Sequence, residues 1–194
     1  MRTYFIRVPN WVQRAYPSAI WTRDQVTDPQ GHFHITIDDG PDPRSTPQWL
    51  YLLSKTNQVA TFFLLGSQAE LYPSLVEEIR SEGHEIASHG MRHLDGWKVG
   101  TSTYVDQVMQ SLDLLKCTRY RPPYGRMTPS QYRNLKNRCD IYMWSMMPGD
   151  FDRDASVSDI ERRLKTKKES DIIVFHDSPR AFSKVELPLR RLFS

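Results

Sequence analysis

Along most of the chain, short apolar runs alternate with longer amphipathic ones. The apolar runs predict strands over Phe33–Asp38, Ala60–Leu65, Glu85–Ser88, Thr118–Arg121, Ile141–Ser145 and Ile172–His176. Helices are expected between them. Thr46 followed by Pro47 reads as a cap and first-turn proline ahead of Trp49, Leu50 and Leu53. Leu75, Val76 and Ile79 recur at helical spacing within Pro73–Ser81, as do Val105, Val108, Leu112 and Leu115 within Tyr104–Lys116. Thr128 and Ser156 also open segments that look like helix N-termini, the first with Gln131 placed for a capping box. This alternation implies an α/β fold with a parallel sheet and helical crossovers. Six units can form an open, doubly wound sheet or close into a barrel, and the periodicity allows both.

Composition narrows the class without naming a function. The 194 residues are 39% hydrophobic and 25% charged, with no repeat or linker-like stretch, which fits a single domain over residues 1–194. No apolar run approaches the ~18 residues of a membrane span. The start, Met1 to Pro9, lacks the apolar core and cleavage site of a signal peptide, so a cytoplasmic location is expected. Net charge is +3, but 26 basic residues are nearly matched by 23 acidic ones with no basic run, so no nucleic-acid partner is expected. The two cysteines, Cys117 and Cys139, each open a strand; those strands could be neighbours, leaving either a bridge or, in a reducing compartment, two buried thiols. Residues 4–23 mix Phe5, Trp11, Tyr16 and Trp21 with Arg7, Arg14 and Arg23, after Arg2. Weak membrane-surface contact is one reading of that mixture; packing across the bottom of a barrel is the preferred one.

The unusual polar residues fall at or just after the ends of successive strands. Asp38 and Asp39 close the first strand before Gly40-Pro41. Two adjacent carboxylates push one another toward the neutral form unless a cation relieves them, which would leave one free to act as a base. His89 and His93, four apart after the third strand, would share one face of a helical turn and present two imidazoles to one metal. With one carboxylate they make the open three-ligand arrangement of catalytic zinc. In Arg121-Pro122-Pro123-Tyr124-Gly125, the prolines fix the backbone and the glycine lets it turn, so Tyr124 can present its main-chain N–H. Arg121 adds a permanent charge that could orient a carboxylate. Trp144, Asp150 and Phe151 follow the fifth strand, and His176 closes the sixth. His32, His34 and His84 lie within or just before strands and are left outside the site. Alone, each string is ordinary: Asp39-Gly40 is a common turn pair, and a strand-end histidine is usually structural. Their collection on one rim is not, because the C-terminal strand ends are where parallel α/β folds carry active sites.

With these motifs in view, the sequence resembles the polysaccharide deacetylase family, also called the NodB-homology or carbohydrate esterase family 4 group. Thr36 to Pro41 resembles its first motif, His89 to His93 the metal-binding pair, Arg121 to Gly125 the third motif, Asp150-Phe151 an Asp-Trp pair, and Val174 to His176 a Leu-x-His motif, in family order across about 31–178. The resemblance implies a distorted (β/α) barrel with fewer than eight strands. It implies Asp39, His89 and His93 as ligands of a divalent metal (zinc by default, with cobalt or nickel suited to the same donors). It further implies Asp38 as general base held by Arg121, His176 as general acid polarised by Asp150, and Tyr124, Phe151 and Val174 at the substrate. The expected reaction is removal of acetyl groups from N-acetylated, less readily O-acetylated, sugars. A deformylase or cyclic amidase on the same site, and an inactive sugar-binding module, are the alternatives. Three positions depart from the family: Gly90 for Ser or Thr, Phe151 for Trp, and Val174 for Leu.

Overall fold

The structure is a computed structural model that describes residues 4–23 and 33–193. Its strands are β1 (His34–Asp38), β2 (Ala60–Leu64), β3 (Glu85–Ser88), β4 (Arg119–Tyr120), β5 (Asp140–Ile141) and β6 (Ile172–His176). Its helices are α1 (Asn10–Gln13), α2 (Thr46–Lys55), α3 (Gly66–Leu71), α4 (Pro73–Ser81), α5 (Thr101–Leu115), α6 (Pro129–Leu135), α7 (Val157–Leu164) and α8 (Pro179–Leu192). The strands pair in parallel in the order β5-β4-β3-β2-β1-β6. Beyond β5 the chain reaches β6: Met146 bridges Ile173, and the Val174 N–H donates to the Met146 carbonyl at 3.0 Å. The sheet therefore curls into the distorted barrel of fewer than eight strands expected from the family resemblance.

Strand alternation sorts the side chains into two layers. Ile35, Ile37, Ala60, Phe62, Leu64, Ile173 and Phe175 join Trp49, Leu53, Ile79, Ile160 and Phe182 of the helices in the main core cluster. The alternate positions turn inward, where Phe63, Ala87, Tyr142 and Ile172 form a small apolar plug. Polar inward residues occur at both ends of the strands: near the N-terminal ends His34 Nε2 lies 2.8 Å from Thr61 Oγ1, which donates to Glu85 at 2.7 Å, and at the C-terminal ends of β1 and β6 stand Asp38 and His176.

Two expectations change here. Strands four and five are two residues long rather than spanning Thr118–Arg121 and Ile141–Ser145. After Tyr142 donates to Tyr120, the chain leaves β4 and finds partners elsewhere. Those partners include the N-terminal segment, which follows the seam between β5 and β6 rather than crossing the barrel bottom. Ile20 pairs with Tyr142, Arg7 with Met146, and Thr22 with Asp171. Backbone groups that a two-residue strand cannot satisfy are met this way. Arg7 also forms an ion pair with the buried Asp171 at 2.9 Å. Trp21 is buried and the Tyr16 hydroxyl donates to the Met127 carbonyl at 2.7 Å, so both pack inward, whereas Phe5 and Trp11 stay exposed edge-on to each other. Arg2 and His32 lie outside the described residues. Cys117 and Cys139 precede neighbouring strands as expected, with both thiols free.

Candidate active site

Asp38 ends β1 facing inward and is 3% exposed. A lone carboxylate there would be costly, and Arg121 answers it. The fully buried Arg121 Nη1 donates to Asp38 Oδ1 and to Thr36 Oγ1, both at 2.7 Å, while Nη2 donates to the Met143 carbonyl at 2.9 Å. The guanidinium lies 4.0 Å from the Phe63 ring centroid, with that ring as its floor. Carbonyl, hydroxyl, carboxylate and ring hold the arginine from four sides. That leaves the Asp38 carboxyl fixed and shielded.

Asp39, the next residue, occupies left-handed backbone at φ 79°. Such a conformation in a residue other than glycine costs on the order of 1–3 kcal/mol and persists where the surroundings impose it. Its effect is to turn Asp39 away from Asp38, toward the histidines. Asp39 Oδ1 lies 3.6 Å from His89 Nε2 and 3.3 Å from His93 Nε2. The three ligand atoms fall within 4.8 Å of one another. The two histidines do not share a helical turn as the spacing suggests. They sit on an irregular loop that Gly90 bends at φ 86°, and the Gly90 N–H donates to Ser88 Oγ at 3.0 Å. A side chain at 90 would meet Gln107 at 3.1 Å in addition to the unfavourable φ. Glycine at 90 thus relieves strain in the bend, and Ser88 supplies a hydroxyl bond to the loop.

Two observations test whether these residues suit a metal. Asp39 Oδ1 is buried with no hydrogen-bond partner among the described residues, which a cation would satisfy. His89 Nδ1 lies 2.9 Å from the Arg121 carbonyl; only an N–H can bond there, so its Nε2 lone pair faces Asp39. Burial also lowers the His89 pKa, which favours the neutral imidazole a metal needs. The donor set fits a divalent cation.

Across the rim, His176 ends β6 as the register partner of Asp38. Asp150, fully buried, accepts from the His176 backbone N–H at 2.7 Å and from ring Nδ1 at 2.9 Å. Burial alone would lower the His176 pKa, but the charge and hydrogen bond of Asp150 outweigh it, assisted by Asp39 and Asp38, and the imidazole is pushed up to about 9. His176 is therefore a cation at neutral pH, with Nε2–H free to donate. Phe151 packs edge-on to this ring at 4.9 Å, and Tyr4 packs on Phe151 at the same distance. Val174 lies two residues before His176 on the same strand face, fully buried beneath it.

Tyr124 sits in the third motif's turn, itself left-handed at φ 58°, followed by Gly125 at φ 66°. A Cβ on Gly125 would come within 2.6 Å of the Trp144 ring, so a larger residue cannot replace it without displacing the indole. The Tyr124 ring meets His93 edge-on at 4.4 Å. All ten residues expected at the site thus gather at this end of the barrel, Val174 as buried floor. Sequence reasoning missed Tyr4, Trp97 and Asp177. Asp177, buried and held by Ser45 Oγ (2.6 Å) and Thr46, anchors the loop after Asp39; its carboxyl is pushed up by burial to about 6. His34 is outside the site as expected, with Nε2 2.8 Å from Thr61 Oγ1; His84 is buried in a surface groove beside α2 and α4.

Known proteins resemble this chain in sequence and in fold. A family model for polysaccharide deacetylase matches residues 25–144, more than half of the chain. The chain is 30% identical over 151 residues to a peptidoglycan-N-acetylglucosamine deacetylase of Bacillus cereus, covering 74% of this chain and 71% of that protein. It is 29% identical over 152 residues to a chitooligosaccharide deacetylase of Sinorhizobium fredii, with 74% and 71% covered. It spans 55% and 34% of two longer curated relatives. The structure of peptidoglycan deacetylase PdaC from Bacillus subtilis superposes with a TM-score of 0.76 at 27% identity, covering 86% of each chain. The chain belongs to the polysaccharide deacetylase family, a group of hydrolases acting on carbon–nitrogen bonds.

Proposed function

We propose that this family member hydrolyses the acetamide of an N-acetylated sugar, releasing acetate and a free amine, with a divalent cation held by Asp39, His89 and His93. The observation that carries this reading is the pairing of Asp38 with His176 in register on adjacent strands. One is a carboxyl clamped by arginine, the other an imidazole whose pKa is raised by Asp150. A proton acceptor and a proton donor thus flank one ligand cluster.

Amide hydrolysis needs both. When bound, the cation supplies Lewis-acid polarisation of the carbonyl and lowers the pKa of water. Asp38, held in place by Arg121, accepts the proton of the attacking water. The Tyr124 main-chain N–H is the group offered to the carbonyl oxygen as negative charge develops on it. His176 donates its Nε2 proton to the departing nitrogen, without which an amine is a very poor leaving group. An ester oxygen leaves more readily, so the investment in a raised His176 favours N-acetyl over O-acetyl substrates. Phe151, supported by Tyr4, forms the wall beside the acid, and Val174 the apolar floor for the acetyl methyl. Zinc suits two imidazoles and a carboxylate, and cobalt or nickel would bind the same donors. The deacetylase relatives act on peptidoglycan and chitooligosaccharides by name, and an N-acetylglucosamine unit is the chemistry common to both.

The test is amine release from N-acetylglucosamine tetramer by zinc-loaded protein. Release that stops with a chelator and returns with zinc is expected. Release unaffected by chelation, or confined to O-acetyl esters, would overturn the reading.

A further inference from the structure

The N-terminal segment does more than close the seam between β5 and β6. The Val8 N–H donates to the Ser145 carbonyl at 3.1 Å and the Met147 N–H to the Ile6 carbonyl at 2.8 Å, so the segment runs beside the stretch that leads into Asp150. Arg7, paired with the buried Asp171, pins it there. Tyr4, just before this run, then reaches the 148–152 loop. Its ring packs edge-on to Phe151 at 4.9 Å, and Phe151 packs edge-on to His176 at the same distance. Its hydroxyl donates to Asp152 Oδ2 at 2.8 Å and lies 3.4 Å from Nη1 of the buried Arg163, which also donates to the Pro148 carbonyl. A side chain on Gly149 would collide with the Tyr4 hydroxyl, so hydroxyl and loop backbone are closely apposed. Tyr4 thus holds the loop on both sides of Asp150, whose buried carboxylate in turn holds the backbone and the ring of His176.

We propose that Tyr4 is a positioning residue for the acid: through Phe151 and Asp152 it fixes the 148–152 loop, and with it the Asp150 carboxylate and the His176 ring. The proposal rests on the deacetylase reading above. Phe151 stands where the family resemblance gives Trp, and a phenyl ring is smaller than an indole. The Tyr4 ring, arriving from a segment that precedes the first strand, supplies the aromatic bulk behind it. The two positions are therefore coupled, and Phe151→Trp helps only where the Tyr4 ring has been removed. The stake is geometric, because an acid must sit within hydrogen-bond reach of the departing nitrogen and a small misplacement is costly. Tyr4 acts through its neighbours and not on the reacting atoms.

The experiment compares turnover of N-acetylglucosamine tetramer with that of para-nitrophenyl acetate, whose leaving group needs no acid, in zinc-loaded wild type and variants. Tyr4→Ala should lower the amide-to-ester ratio by about 3- to 10-fold, through kcat and not KM. Tyr4→Leu, which keeps apolar bulk and guards against a folding defect, should show a smaller loss in the same direction, and Tyr4→Phe should keep most of the ratio. Adding Phe151→Trp to Tyr4→Ala should recover it, whereas Phe151→Trp alone should lower it, because indole and Tyr4 ring compete for one space. A second readout needs no turnover. The His176 Nδ1–H proton, assigned by its absence from His176→Gln, should give a slowly exchanging downfield NMR signal in wild type that broadens in Tyr4→Ala and returns in the double variant. Equal losses on amide and ester, Phe151→Trp acting alike with and without Tyr4, or an unaltered His176 signal in Tyr4→Ala would overturn the positioning role. Absence of acetate from every sugar, with the His176 signal still dependent on Tyr4, would instead count against the deacetylase reading alone.

Discussion

Replacing Asp150 with Asn removes the charge that keeps His176 protonated while preserving shape in a fully buried position. In the wild type the His176 pKa is pushed up to about 9 against the opposing effect of burial, and Asp150 is the largest contributor to that rise. Without it, burial is opposed only by the more weakly acting Asp39 and Asp38, and the imidazole pKa falls. A return to the ordinary histidine value of about 6.5 would drop the protonated fraction at pH 7.5 from about 97% to about 9%, a loss of about tenfold in kcat/KM for an amide substrate. A bound cation offsets the smaller contributions of Asp38 and Asp39, so the wild-type alkaline limb should fall somewhat below 9, but Asp150 still separates it from the variant. Linkage gives a second reading with a definite sign. A histidine whose folded pKa is raised contributes stability that is complete below pH 6.5 and is lost as pH rises through about 9. The contribution is about 3 kcal/mol at most, and the variant should lack that slope. The assay is acetate release from N-acetylglucosamine tetramer between pH 6 and 10, beside an O-acetyl ester whose leaving group needs the acid less. An alkaline limb unchanged in Asp150→Asn, or an equal loss on amide and ester, would refute the role given to His176.

Arg121→Met should leave Asp38 buried without its partner and destabilise the fold by about 3–5 kcal/mol, read from urea unfolding; adding Asp38→Asn should recover part of that loss, and an additive double variant would contradict the pairing. Gly90→Ala forces a side chain onto a backbone at φ 86° with Gln107 3.1 Å away, so it should cost about 1–2 kcal/mol and weaken zinc binding, both measurable by thermal unfolding with and without metal. An unchanged melting temperature would show that the loop does not require glycine.

The strands that carry the proposed base and acid were legible because β1, β2 and β6 are largely apolar runs buried between helices and barrel interior. β4 and β5 were legible only as positions. Their continuation depends on whether Tyr142 to Met146 pairs with β4, the N-terminal segment or β6, and periodicity holds no information about that choice. The sequence reading names no helix over α3 or α8, although Phe182, Val185 and Leu189 recur at helical spacing in α8, which carries Pro188 buried within it. The candidate constellation was visible because barrel topology brings strand ends together whatever the intervening sequence. The shape of the histidine loop was not. Two histidines four apart suggest a helical turn, whereas Gly90 and Ser88 dictate a bend. Contacts such as Tyr4 on Phe151 and Trp97 against Arg126 join loops distant in sequence, and neither residue lies in a patterned run that would have flagged it.

The central claim is a division of labour between adjacent carboxylates, with Asp38 moving a proton and Asp39 holding metal. Zinc content and acetate release from N-acetylglucosamine tetramer, measured together on wild type, Asp38→Asn and Asp39→Asn, test it directly. Wild type should bind one zinc and release acetate, Asp38→Asn should keep the zinc and lose the activity, and Asp39→Asn should lose both. An active Asp38→Asn protein, or an Asp39→Asn protein with undiminished zinc affinity, would contradict the account.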